Sequence, residues 1–226
     1  MKTKEILIAK EKEDVYNFGG LSVVVDFFRF STTINALLTR NKKIRVYSDE
    51  KEVIDFINKN KNWDLFSEKK LNIARFDNSP HLALKMALKD NIIVVTNSGS
   101  KALLACRKSS KIIIGSLCNI SSIKKSLLNF EKEVILIPAC IFFNKNHVED
   151  FFACEFIKDY IEGKNMDLKK LRERVEKAKR IDELLKLRDT AREDIEIIFS
   201  IDKFNTLPVS RIYGDFAEVV NEKSDN

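Results

Sequence analysis

Short, continuous apolar runs alternating with helix-forming stretches set the strongest limit on this chain's fold. Residues 6–9, 21–25, 44–47, 92–96, 112–114, 134–138 and 195–201 read as strands. Residues 32–38, 51–58, 81–88, 101–107, 121–129, 148–160 and 168–188 read as helices between them. A run such as Val23-Val24-Val25 leaves no face for solvent, so both faces of its strand must be covered. Strands of that kind, alternating with helices, predict an α/β fold with three layers, α/β/α, and a mostly parallel or mixed sheet. Residues 1–226 read as one unit. Two stretches, 23–48 and 93–116, share one plan of strand, polar loop, helix, basic turn and strand, which allows two similar halves, about 1–90 and 91–226. The amphipathic stretch 168–188 reads as a surface helix with a solvated face.

The chain has the means to fill such a core: 44% of its residues are hydrophobic and 16 are Phe, despite 33% charge. The net charge is +6. Its lysines gather in polar turns, and no helix-turn-helix, RNP or zinc-finger spacing accompanies them. The charge reads first as solvated surface, with a local basic pocket for a small anion as a further reading, and it does not point to a nucleic-acid partner. Cys106, Cys118, Cys140 and Cys154 are too far apart for a metal knuckle and read as buried, reduced thiols. No signal peptide or membrane span is visible, so the expected setting is the cytoplasm. A homo-oligomer is left open.

Five polar clusters follow apolar strands or open helices: "DFFRFSTT" at 26–33, "FDNSP" at 76–80, "TNSGSK" at 96–101, "GSLCN" at 115–119 and "HVED" at 147–150. Ligands of parallel α/β sheets bind at the carboxyl ends of strands, where helix N-termini offer free N–H groups. Any single Ser or Thr there serves as a cap. Capping does not account for Asp26, Arg29 and Asn97 together. Asp26 with Glu149 or Asp150 would supply hard oxygen ligands for Mg²⁺, which usually takes only one or two protein carboxylates. The alternative for Glu149 and Asp150 is a first helical turn favoured by the dipole. His147 is a candidate general acid, with a bystander role as the alternative.

These clusters, in this order, resemble the 2-phosphosulfolactate phosphatase family, Mg²⁺-dependent enzymes of coenzyme M biosynthesis. The family's D-V-L-R-A-S-T-T stands here as "DFFRFSTT", its F-D-L-G-N-S-P as "FDNSP", its T-T-N-G-T-R-A as "TNSGSKA", its G-S-F-x-N as "GSLCN" and its S-L-E-D-V-x-A-A-G as "HVEDFFAC". The ending "IFSIDKFNTLPV" fits the family's closing strand and proline. Phe30 stands at a family Ala, Ser98 at an Asn and Cys154 at a Gly.

The resemblance implies hydrolysis of a phosphate ester of a small phosphorylated, sulfonated or carboxylated anion. Asp26, Arg29, Glu149 and Asp150 would be catalytic, with Asp26, Glu149 and Asp150 holding the metal. Ser31, Thr32, Asn78, Ser79, Asn97, Ser98, Gly99, Ser100, Lys101, Gly115, Ser116 and Asn119 would surround the anion. Arg29 would grip its oxygens with both arms of the guanidinium. Another small phosphorylated acid as substrate, or a non-catalytic anion-binding homologue, remains the alternative. Water and an enzyme carboxylate are both open as the nucleophile.

The charge distribution gives a first test. Duplex DNA at physiological ionic strength is expected to bind no tighter than ordinary non-specific association. Sub-micromolar affinity with a steep salt slope in a filter-binding titration would overturn the small-anion reading.

Overall fold

The computed structural model describes residues 5–69, 71–128 and 130–222. Its strands are β1 (Ile6–Ile8), β2 (Leu21–Val25), β3 (Lys43–Tyr47), β4 (Trp63–Ser67), β5 (Asn91–Val95), β6 (Lys111–Ile114), β7 (Val134–Pro138), β8 (Pro208–Tyr213) and β9 (Phe216–Asn221). Its α-helices are α1 (Glu13–Tyr16), α2 (Phe30–Leu38), α3 (Glu50–Lys59), α4 (Pro80–Lys85), α5 (Gly99–Ala105), α6 (Ile120–Leu128), α7 (Glu149–Ile161), α8 (Leu168–Lys177), α9 (Arg180–Leu187) and α10 (Ala191–Ile198). Asn129, the last residue of one expected helix, lies outside the described residues.

The strands form one mixed sheet in the order β1-β7-β2-β6-β8-β9-β3-β5-β4. β1, β7, β2 and β6 are mutually parallel, as are β3, β5 and β4. The β8–β9 hairpin joins these blocks through antiparallel pairings. Each of the similar βαβ stretches crosses between blocks: α2 leads from β2 to β3, and α5 leads from β5 back to β6.

Side-chain alternation assigns the layers. Val24, Ile114, Ile137, Val46 and Val94 join one core with residues of α2, α4 and α5. Val23, Val25, Ile113 and Leu136 face the other way, onto α6, α7, α8 and α10. Tyr47, Leu65, Ile93 and Val95 pack on α3. Helices thus cover both faces, and the α/β fold with three layers is as expected. All nine residues of α2 are buried, polar ones included. Its Asn35 therefore needs internal partners: Nδ2 donates to Ser31 O at 2.9 Å, and Oδ1 accepts from Thr206 Oγ1 at 2.5 Å.

Three expectations are corrected. Residues 195–201 do not form a strand. The run belongs mostly to α10, where Ile195, Ile198 and Phe199 are buried at i, i+3 and i+4. A short apolar run carries no periodicity that separates a buried strand from a helix. Stretch 168–188 is two helices, because Lys179 adopts a left-handed conformation with φ 57°. The sequence also hid three strands. In β4, Asp64 is buried and interrupts the apolar run. It is compensated by Arg75 Nη1 at 3.0 Å and Lys89 N at 2.8 Å. β8 and β9 turn at Gly214, whose φ of 57° suits a residue without Cβ.

Asn119 clasps the ends of β6 and β8. Its Oδ1 accepts from Ser116 N at 2.9 Å, and its Nδ2 donates to Thr206 O at 3.2 Å. Asn119→Ala leaves both buried backbone groups unpaired. The expected loss is about 2–4 kcal/mol by denaturant unfolding. A loss below about 0.5 kcal/mol would show that the clasp is dispensable.

Candidate active site

Asp26 follows β2, and the turn behind it closes on itself. Ser31 N donates to Asp26 O at 3.2 Å, and Asp26 N donates to Ser31 Oγ at 3.0 Å. Asp26 Oδ1 accepts from Phe30 N at 3.2 Å, which caps the start of α2. Asp26 Oδ2 accepts from Ser98 Oγ at 2.7 Å. Ser98 follows β5 in the other block, so the carboxyl ends of β2 and β5 meet here. Sheet twist of about 20–25° per strand accumulates over the five steps between them. The approach is close enough to require Gly99: a Cβ there would meet Phe30 Cδ1 at 2.4 Å and Asp26 Oδ2 at 2.8 Å. The large Phe30 and the bare Gly99 are therefore complementary.

Asp26 is 1% exposed and, among the described residues, has no cationic side chain bonded to it. Burial, then the negative charge of Glu68, push its pKa up to about 7, against the hydrogen bonds from Ser98 and Phe30; Glu149 adds a smaller push. Glu68 was not singled out in the sequence, because it follows β4, the strand that Asp64 disguised. Its Oε2 accepts from Asn97 N at 3.0 Å and its Oε1 from Asn78 Nδ2 at 2.9 Å.

Glu149 and Asp150 open α7 beneath the same point. Glu149 Oε2 accepts from Arg180 Nε at 2.8 Å, yet burial keeps its pKa raised. Asp150 Oδ1 accepts from Phe27 N and Oδ2 from Cys140 N, both at 2.8 Å. Asp150 thus sews the loop after β2 to the 3₁₀ turn after β7. Burial, Asp26 and Glu149 raise its pKa well above the usual range. Among the described residues, no group of three or more His, Cys, Asp or Glu side chains is arranged to hold a metal ion.

Arg29 is 1% exposed and engaged by carboxylates. Its Nη2 donates to Asp77 Oδ2 at 2.6 Å and its Nη1 to Asp194 Oδ2 at 2.7 Å. Burial works against the guanidinium's charge, but these two partners outweigh it and hold the pKa above its ordinary value. Asp194, from α10, also accepts from Ser79 Oγ at 2.6 Å and His81 N at 3.1 Å. Arg188 Nη1 reaches the other oxygen of Asp77 at 3.2 Å.

The remaining predicted residues divide into two groups. Asn97, Ser98 and Arg29 line a cleft of about 210 Å³, together with Phe28, Glu68, Phe143, His147 and the face of α9 formed by Arg180, Glu183, Leu184, Leu187 and Arg188. The others lie behind it. Ser79 caps α4 through Leu82 N at 3.1 Å, Ser100 closes on Thr96 N at 2.9 Å, and Ser116 pairs with Asn119. Gly115 packs against Val23, Thr32 is buried beside the Cys118 thiol, and Asn78 reaches Glu68. Lys101 Nζ lies 5.9 Å from the Phe143 ring centroid. Stretch 180–188 was read as a solvated face; instead it roofs the cleft. Burial, then Arg180, push the His147 pKa down to about 4, so it is neutral near pH 7 and unsuited to act as an acid there. All four cysteines are free and buried. Among the described residues, no helix is long and apolar enough to cross a membrane.

Polar groups from both parallel blocks, meeting at strand carboxyl ends around a small cleft, make this an α/β enzyme site. The chain matches the profile of the 2-phosphosulpholactate phosphatase family over residues 6–212. It is 29% identical over 196 residues to a probable 2-phosphosulfolactate phosphatase of Thermoplasma volcanium, covering 85% of this chain and 90% of the relative. It is 31% identical over 159 residues to the 2-phosphosulfolactate phosphatase of Methanocaldococcus jannaschii, covering 66% of each. The chain belongs to this family of phosphoric monoester hydrolases.

Asp26 gives a pH signature. Its pKa in the folded protein lies above that of an unfolded Asp, 3.8. Its contribution to stability is therefore full below about pH 4 and is lost as pH rises through about 7. Asp26→Asn lacks that loss. In metal-free buffer the variant is expected to match the wild type near pH 4 and to exceed it by about 2–4 kcal/mol at pH 8. A pH-independent difference, read from melting curves at both pH values, would refute the buried-carboxylate account.

Proposed function

We propose that this chain is a Mg²⁺-dependent phosphatase that hydrolyses 2-phosphosulfolactate to sulfolactate and phosphate, a step of coenzyme M biosynthesis. The observation that carries this reading is Asp26: a buried carboxylate directly behind the cleft-lining Ser98, crowded by Glu68 and Glu149, with hydroxyl and amide partners.

The donor set fits a hard cation. Among the described residues, carboxylates outnumber guanidiniums in and behind the cleft: Asp26, Glu68, Asp77, Glu149, Asp150, Glu183 and Asp194 stand against Arg29, Arg180 and Arg188. A phosphate ester entering such a site meets repulsion unless a cation or protons offset it. Mg²⁺ keeps several waters and needs few protein ligands, so the lack of a closed ligand cage is compatible with it. Asp26, with Glu68 and Glu149 beside it, would hold the ion; Asp150 is committed to backbone N–H groups. The bound ion would polarise the phosphoryl group and offset charge in the transition state.

The chain's own groups do the rest. Ser98 and the Phe30 amide fix the Asp26 carboxylate. The side chains of Asn97 and Ser98 stand at the cleft wall to meet phosphoryl oxygens. Phe28, Phe143, Leu184 and Leu187 give the cleft an apolar lining.

Phosphate release from 2-phosphosulfolactate is expected with Mg²⁺ or Mn²⁺ and not after exhaustive chelation. Asp26→Asn is expected to lower the rate by about 10²–10⁴ with the fold intact by circular dichroism. Full activity in chelator, or a wild-type rate in the variant, would overturn the reading.

A further inference from the structure

The positions that α9 and its end present to the cleft are 180, 183, 184, 187 and 188. They fall at i, i+3, i+4, i+7 and i+8, one face of a helix. This face exists because Lys179, left-handed at φ 57°, breaks the chain away from α8. An arginine stands at each end of it, about 12 Å apart along the axis, with Leu184 and Leu187 between them. Both guanidiniums are anchored on one side. Arg180 Nε donates to Glu149 at 2.8 Å, and its Nη1 meets Glu183. Arg188 Nη1 donates to Asp77 Oδ1 and its Nη2 to Glu68 O, each at 3.2 Å. A guanidinium has five N–H donors in a rigid fork, so each arginine keeps three beyond these bonds. Anchored, partly buried and beside an apolar surface, they are pre-oriented for oxyanions at little further ordering cost.

We infer that α9 is the acid-recognition element of the cleft, with Arg180 and Arg188 binding the non-reacting anionic groups of a phosphate ester that carries further carboxylate or sulfonate charge. The inference rests on the phosphatase reading and adds a selectivity determinant to it. Asp26 and its neighbours handle the phosphoryl end, and α9 selects esters with additional acid groups over plain ones. A cleft of about 210 Å³ suits a small molecule.

The test compares kcat/KM for 2-phosphosulfolactate and for 4-nitrophenyl phosphate, which has no further acid group. Wild type, Arg180→Gln, Arg188→Gln and Arg188→Lys are measured in Mg²⁺. Sulfolactate binding is measured separately by calorimetry. The ratio of the two kcat/KM values is expected to fall at least tenfold in both Gln variants, mainly through KM. Sulfolactate Kd should weaken at least tenfold, and Arg188→Lys should recover only part of the loss, because a point charge cannot replace the fork. Arg180→Gln also strips Glu149 of its partner; Arg188→Gln therefore decides the matter if Arg180→Gln melts early. An unchanged ratio and a Kd within twofold of wild type in folded Arg188→Gln would overturn the inference. If wild type hydrolyses neither ester, the phosphatase reading fails, and the sulfolactate Kd still decides whether the arginines bind the acid groups.

Discussion

Arg29 cannot be buried to 1% exposure without counter-charge, because desolvating a guanidinium alone would cost several kcal/mol. The chain meets this constraint with two carboxylates from distant segments, Asp77 before α4 and Asp194 in α10. Asp194 then needs its own remaining lone pairs filled, and Ser79, His81 N and Thr190 fill them. One buried charge thereby fastens the first βα turn, the start of α4 and the C-terminal helices to one another. Removing one member of such a set costs about 3–5 kcal/mol, since the partners are left charged and dry. Much of the cleft's shape follows from this network, with Arg188 joining it through the second oxygen of Asp77.

The carboxylates around Asp26 are chemically alike and compensated unequally, and the inequality separates their roles. Asp150 takes two backbone N–H groups and binds loops together. Glu149 has Arg180. Glu68 has two amide donors. Asp26 has a hydroxyl and one amide, with no cation among the described residues, in a place where burial and neighbouring charge both oppose ionisation. It is therefore a group with much to gain from a proton or a metal ion. The packing around it is similarly particular. Phe30 lies where a side chain on residue 99 would have to go, so the bulk of one position and the bareness of the other are a single feature.

Much of the site was legible because its parts lie within short stretches at strand ends. Asp26, Glu149 and Asp150 do converge, and Ser98 does face Asp26. Arg29 was legible as important and not in its surroundings: a sequence does not state that Asp77 and Asp194 will reach it. Ser31, Ser79, Ser100, Ser116 and Asn119 were read as anion ligands, and their polar atoms close turns and caps. A hydroxyl beside a helix start has the same sequence signature in either role. Glu68, Arg180 and Arg188 were missed because their elements were misread or dismissed as solvated.

By itself the sequence determined the layered α/β architecture, since strands such as Val23-Val24-Val25 have no face to give to water. It also determined where polar loops interrupt them, and hence the order of the site's parts. The tertiary structure alone decided which of those parts meet. Asp26 after β2 and Ser98 after β5 meet although their strands stand five places apart in the sheet. The roof of the cleft depends on one left-handed residue that turns α9 from α8. Both are properties of accumulated backbone geometry, in which small local angles decide which residues become neighbours across the fold.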